Sequence, residues 1–252
     1  MAKLAIKDVI LVIISSTEVQ NNFGKYLMLA AKEDIIITRN GTVMAKLCAA
    51  GHSMNGNQVV QEKAAAYSYG GRKATYDEFL ELTKDTEDRY EYIDGEIYYL
   101  ASPKTAHQVA LAELFGIFYN WFQGKPCSPL VAPYDITLRR NSEDLNIVQP
   151  DIMVICDLET NLDKRDYYQG IPTLVVEILS EGTRRKDLIK KLDLYMSCGI
   201  REYWLVNPLN KEITIYQFAD GDITDHITYR VDETAQSFSF QGLSAELTRI
   251  FK

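Results

Sequence analysis

No C-x-x-C pair joins the four cysteines of this 252-residue chain (Cys48, Cys127, Cys156, Cys198), which excludes a zinc knuckle and predicts reduced thiols in a cytoplasmic protein. Nor does the chain carry an excess of basic charge. Its formal net charge is −8, so no global field draws it to nucleic acid or to an anionic membrane. Long apolar runs are missing as well. The longest near the start, Val9–Ile14 in "MAKLAIKDVILVIISS", falls well short of the ~20 residues of a membrane span and reads as a buried first strand.

What is present is an ordinary globular composition, 46% hydrophobic and 25% charged, long enough for one large domain or two smaller ones. The charge is uneven. Residues 1–50 hold six Lys/Arg against four acids, and the remainder holds 21 against 31, a mildly basic head on an acidic body.

The head reads as strand, helix and hairpin. After Val9–Ile14, "SSTEVQNNFGKYLMLAAKE" offers capping residues Ser16 and Thr17 and apolar Val19, Phe23, Leu27 and Ala30 at helical spacing. Ile35–Thr38 and Val43–Leu47 then flank Asn40-Gly41, a dipeptide suited to a two-residue type I′ turn. Residues 51–72, bounded by Gly, Asn and Ser at one end and Gly70-Gly71 at the other, read as a linker. The predicted domains are 1–50, a linker over 51–72, and 73–252.

The body predicts a mixed α/β fold. Thr75–Leu82 is helical, and "YEYIDGEIYYL" is a hairpin turning at Asp94-Gly95. Ser102 or Thr105 starts a helix to about Trp121, with Val109, Leu111, Leu114, Ile117, Phe118 and Trp121 available to pack. Strands follow at Tyr134–Leu138, Ile147–Ile155 and Thr173–Leu179, then a helix from about Arg184 to Ser197 stopped by Gly199. Two more strands (Glu202–Val206, Glu212–Phe218), a strand-rich tail and a short final helix complete the pattern.

Chemistry concentrates in three places. Glu177 lies inside the apolar run Leu174–Leu179, where a lone carboxylate costs several kcal/mol unless a cation answers it. Asp151 follows Pro150 in "VQPDIMVICD", and the cationic stretch "TRRKDLIKKLDLY" follows Glu177. Carboxylates on two adjacent strands can hold Mg²⁺ or Mn²⁺ against a phosphate substrate, and a lysine beside them can orient water and neutralise developing charge. The bland alternatives are a strand-end aspartate, a structural ion pair of Glu177 with Arg184, and a solvated lysine run.

"YEYIDGEIYYLASPKTAHQ", "VQPDIMVICD", "PTLVVEILSEGTRRKDLIKKLDLY" and "GIREYWLVNP" together resemble the Uma2 endonuclease family of the PD-(D/E)xK nuclease superfamily, over residues 74–250. The resemblance implies a restriction-endonuclease-like αβββαβ core acting on DNA. It assigns Asp151 and Glu177 as metal ligands, with the Ile178 carbonyl as a third. The superfamily pattern wants Lys two residues after the Glu, where this chain has Leu179. On an α-helical wheel with Leu188 at zero, Lys191 falls at about −60°, near Tyr195 at about −20°, while Lys190 falls at about 200°, away from the sheet. Lys191 is therefore the expected replacement. His107 in "SPKTAHQ" and Glu91 on the hairpin are further candidates, as a substrate-contacting group and an extra carboxylate.

The head, "SSTEVQNNFGKYLMLAAKEDIIITRNGTVMAKL", resembles the Phd/YefM antitoxins over residues 10–50. That implies a β-α-β-hairpin module forming a homodimer, binding operator DNA and serving a toxin partner. With Leu179 in the lysine position, the two resemblances also leave open a non-enzymatic DNA-binding regulator built on a degenerate nuclease scaffold.

Overall fold

The structure is a computed structural model that describes residues 2–6, 9–15, 19, 23, 26, 30, 35–39, 42–47, 73–180 and 186–252. The chain divides into two compact units, Met1–Lys63 and Ala64–Lys252. The linker expected over 51–72 falls wholly outside the described residues, as do Cys48, the turn residues Asn40 and Gly41, and Arg184 and Arg185.

In the first unit β1 (Ala2–Ile6), β2 (Val9–Ser15), β3 (Ile35–Arg39) and β4 (Thr42–Leu47) form one sheet in chain order. β2 and β3 run parallel, and a parallel pair needs a crossover; Val19, Phe23, Tyr26 and Ala30 within it are helical. Val19, Tyr26 and Ala30 pack with Ile14 and Ile35, whereas Phe23, expected to pack, is 48% exposed. β1 has no counterpart in the sequence reading, since Lys3 and its alanines break the apolar run.

The second unit opens with α1 (Tyr76–Thr83), capped reciprocally by Thr75 and Glu78. The hairpin of β5 (Tyr90–Ile93) and β6 (Glu96–Tyr99) turns at Asp94 and Gly95, both at positive φ. α2 (Thr105–Phe122) follows, with Lys104 at its N-cap and no side-chain cap, so neither Ser102 nor Thr105 caps it. Strands β7 (Ser128–Val131), β8 (Ile136–Leu138), β9 (Asn146–Val148), β10 (Ile152–Ile155) and β11 (Leu174–Ile178) lead to a π-helical stretch, Lys186–Lys191. α3 (Leu192–Ser197) continues that stretch and stops at Gly199 (φ 88°). β12 (Glu202–Asn207), β13 (Glu212–Ala219), β14 (Asp222–Arg230), β15 (Thr234–Gln236), β16 (Ser244–Glu246) and α4 (Leu247–Ile250) complete the unit.

A six-stranded sheet, β14-β13-β12-β11-β10-β7, is the spine of this unit, antiparallel except where β11 pairs with β12. Helix, three strands, helix and strand (α2, β7, β10, β11, α3, β12) thus follow the expected mixed α/β order, with β8 and β9 intervening. The strand expected over Ile147–Ile155 is two strands in two sheets. β9 belongs to a second sheet, β6-β5-β9-β8, and the chain leaves it at Pro150, which has no N–H to give a ladder.

Alternation along β11 separates two cores. Leu174, Val176 and Ile178 face α2, where Ala110, Leu114, Phe118 and Phe122 recur every four residues. Val175 and Leu179 face Leu194 and Tyr195 of α3 and the second sheet. Val109, expected to pack, is exposed instead, one position off the buried stripe.

Thiols are the other departure. Cys127 and Cys156 are joined by a disulfide. They extend the β7–β10 register that pairs Ser128 with Ile155, so neighbouring strands set them opposite one another despite 29 residues of separation. Cys198 is free and buried.

Phe118 sits edge-on to Trp204 at 5.3 Å between ring centroids and is fully buried. Phe118→Ala is expected to cost about 3–5 kcal/mol, seen as a lower urea midpoint at unchanged m-value. A loss under about 1 kcal/mol would mean that α2 does not close this core.

Candidate active site

Asp151 stands where β10 begins. The β10–β11 register pairs Ile152 with Val176, so one step further sets Asp151 opposite Glu177, on the same face of the sheet. Here the carboxylate takes over from the backbone ladder: the Ile178 N–H donates to Asp151 Oδ2 at 2.7 Å. His107, in the first turn of α2, brings its Nε2 within 3.2 Å of the same oxygen.

Glu177 is answered by Lys191. The ammonium lies 2.6 Å from Glu177 Oε1 and 2.7 Å from Glu91 Oε1. Tyr195 OH donates to the same Glu177 oxygen at 2.5 Å, and the Gln149 N–H donates to Glu91 Oε1 at 2.9 Å. Glu91, Lys191 and Glu177 are 0%, 2% and 4% exposed. An ammonium taken this far from water is tolerable only with carboxylates in contact.

All six residues named from the sequence (Glu91, His107, Asp151, Glu177, Ile178 and Lys191) line one cavity of about 410 Å³. They arrive from the hairpin, α2, the start of β10, β11 and the π turn. Arg89 from just before β5, Ser102 and Lys104 from the loop leading into α2, and Gln108 from its first turn join the lining. Leu179, in the position where the superfamily pattern has lysine, is buried in the apolar cluster with Val175 and Leu194 and contributes nothing polar.

Lys190 departs from the reading that turned it outward. A π turn advances each residue by less than the 100° of an α-helix. Lys190 reaches the hairpin, 2.5 Å from Glu96 Oε2 and over the Tyr98 ring at 5.3 Å. Tyr195 and Gln149 were missed as site residues. Tyr195 carried a usable signal, lying four positions after Lys191 on an inward helix face; Gln149 carried none beyond adjoining Pro150-Asp151.

The site fits a hard divalent cation by its donor chemistry. Mg²⁺ keeps most of its waters and takes one or two protein carboxylates, and Asp151 and Glu177 supply two in opposed register at one cavity. Three site carboxylates, Glu91, Asp151 and Glu177, also stand close to one buried ammonium, that of Lys191. Among the described residues no group of three or more His, Cys, Asp or Glu side chains is placed to hold a metal ion, so a cation here would rest on the two carboxylates and its own waters.

The Lys190–Glu96 contact carries a pH signature. The hydrogen bond from Lys190, then that from Tyr98, holds the Glu96 carboxyl below its ordinary 4.5. Burial pulls Lys190 down, but its bonds to Glu96 and Tyr98 outweigh that and raise it above 10.5. The stabilisation by Glu96 is therefore complete above the ordinary carboxylate value and is lost as pH falls through the lower folded value. Wild type should melt above Glu96→Gln at pH 7, and the gap in Tm should close as pH falls below 4.5. A gap that persists undiminished at the acid end would refute the pairing.

A family model, Uma2, described as "Putative restriction endonuclease", matches residues 76–248. An uncharacterized protein of Synechocystis sp. is 27% identical over 181 residues, covering 71% of this chain and 92% of its own length. A crystal structure of a "putative nuclease belonging to DUF820" from Anabaena variabilis superposes with a TM-score of 0.57 at 21% identity, over 69% of this chain and 96% of that one. At that identity the likeness is one of fold.

Proposed function

The chain belongs to the Uma2 family, and from that premise we propose that its C-terminal unit is a metal-dependent endonuclease of the PD-(D/E)xK type that hydrolyses phosphodiester bonds in DNA. One observation carries the reading. Lys191 lies 2.6 Å from Glu177 although the strand itself offers Leu179, and the same cavity receives Asp151. A lysine beside Glu177 favours this reading over the alternative, a DNA-binding regulator with a dead site.

Asp151 and Glu177 would hold Mg²⁺ or Mn²⁺, together with the carbonyl of Ile178. Such a cation, when bound, supplies Lewis-acid stabilisation of the charge that develops on the phosphate. Lys191 orients the attacking water and places a positive charge beside the phosphate. Glu91 holds the Lys191 ammonium at 2.7 Å and so limits its freedom to leave the site. His107 steadies the Asp151 carboxylate, and Tyr195 fixes the Glu177 oxygen that faces Lys191. The cavity lining beside α2, with Arg89 and Lys104, offers cationic contacts for the nucleic-acid backbone.

The N-terminal unit is read as a homodimerising, DNA-binding module with a toxin as second partner, on the resemblance of residues 10–50 to Phd/YefM antitoxins. Its parallel β2–β3 pair and β3–β4 hairpin support that reading. A cytoplasmic location accords with a DNA substrate, while the Cys127–Cys156 disulfide stands against the reduced thiols expected there. Among the described residues no helix is long and apolar enough to cross a membrane.

The test is nicking of supercoiled plasmid in Mg²⁺. Glu177→Gln and Lys191→Met should each lower the rate by about 100-fold or more, with no activity in EDTA. Equal nicking by wild type and Glu177→Gln would sink the assignment. For the head, a mobility shift of the chain's own upstream DNA by the full chain is expected, and no shift would remove that part.

A further inference from the structure

Lys191 stands on a π turn, a rare winding that occurs mostly as a single turn, and side-chain contacts from other segments hold this one in place. Further support comes from the segment between β8 and β9. Arg140 Nη1 donates to Asp94 Oδ1 at 2.8 Å and to Asp144 Oδ2 at 3.1 Å, and Nη2 donates to Asp193 Oδ2 at 3.0 Å. Asn146, fully buried, ties the same group together: its Nδ2 donates to Asp144 Oδ2 and its Oδ1 accepts the Asp94 N–H, both at 2.9 Å.

Three carboxylates from three chain segments thus converge on one guanidinium. Asp94 closes the hairpin three residues after Glu91. Asp193 lies two residues after Lys191 and two before Tyr195, between the two side chains that grip Glu177. The β8–β9 segment itself leads on through Pro150 to Asp151. Arg140 does not line the cavity, so it acts on the site through these neighbours.

We infer that Arg140 is the positioning residue of this site, clamping the helix that carries Lys191 to the hairpin that carries Glu91 and thereby fixing the ammonium between its two carboxylates. The inference rests on the nuclease reading of the same cavity. A planar fork that serves two partners from one nitrogen and a third from another is what guanidinium offers and an ammonium does not. A lone exposed ion pair contributes little, but here several charges share one partly buried cation. Burial weakens the guanidinium's charge, yet the carboxylates, Asp94 first, hold it well above its ordinary range, so the clamp stays charged wherever the protein is folded.

The experiment reads Lys191 directly. Full-length wild type, Arg140→Gln, Arg140→Lys, Asp193→Asn and a remote control, Arg249→Gln, are acetylated briefly with an N-hydroxysuccinimide ester, and Lys191 labelling is mapped by peptide mass. Arg140→Gln and Asp193→Asn should raise Lys191 labelling by about tenfold, because local opening replaces a held side chain. In plasmid nicking the same variants should lose about tenfold in kcat at unchanged KM, as misplacement of a group outside the substrate contacts predicts. Arg140→Lys should recover part of the loss, and Arg249→Gln should match wild type in both readouts. Unchanged Lys191 labelling in folded Arg140→Gln and Asp193→Asn overturns the inference. If Arg140→Gln does not fold, Asp193→Asn, which leaves two of the three partners in place, decides it. A wild type that fails to nick DNA would defeat the nuclease reading, while the labelling would still decide the clamp.

Discussion

An ammonium group buried between two carboxylates is the contact around which the second unit is arranged. Lys191, at 2% exposure, has left water almost entirely, and several kcal/mol of lost hydration must be recovered locally. Recovery requires both Glu91 and Glu177 within hydrogen-bonding distance, and those residues belong to different sheets. The second sheet, the six-stranded sheet and the helix between β11 and β12 are therefore not free to shift independently. Moving any of them leaves at least one buried charge without its partner, which costs more than the surrounding apolar contacts return.

The same constraint explains why Asp151 sits at a break. Had residues 147–155 run on as one strand, Asp151 would occupy a ladder position within a continuous sheet, flanked by backbone bonds on both sides. Pro150 interrupts pairing, the chain changes sheets, and Asp151, the residue just before β10, faces Glu177 with its carboxylate bonded to the Ile178 N–H. The interruption puts a charged side chain at the sheet's end, beside the cavity, without breaking the apolar faces of Ile152–Ile155. His107 completes this corner because α2 packs its every-fourth-residue stripe on the opposite core and so delivers its first turn to the end of β10.

Much of this was legible in the sequence, and the failures are instructive. The β-hairpin at Asp94-Gly95, the strand bearing Glu177, the stop at Gly199 and the convergence of Glu91, His107, Asp151, Glu177 and Lys191 follow from local periodicity, turn chemistry and motif resemblance, since each signal spans only a few residues. Beyond what the family resemblance implies, contacts between distant residues were not legible. The Cys127–Cys156 bond follows from the β7–β10 register, which no spacing rule encodes. The π winding at Lys186–Lys191 has no signature in an α-helical wheel, so Lys191 was placed inward on an inexact geometry while Lys190 was placed on the wrong side. Arg140 has no signal in the sequence, because two of its three aspartate partners, Asp94 and Asp193, are 46 and 53 residues away.

Those two illegible features are connected. When glutamate and lysine lie two apart on one strand, the pleat alone points both side chains to the same face at a set separation, and no further support is needed. Here the strand keeps Leu179 for the core, and the lysine comes from a helix fourteen residues on. Backbone geometry no longer relates the two groups, so tertiary contacts must. Glu91 does so at the ammonium, Glu96 at the neighbouring Lys190, and Arg140 through Asp193 from the other side. Relocating one side chain from strand to helix thus replaces a local rule by a network of ion pairs. It also moves the sensitivity of the site to mutation away from the strand and onto the hairpin turn and the β8–β9 segment.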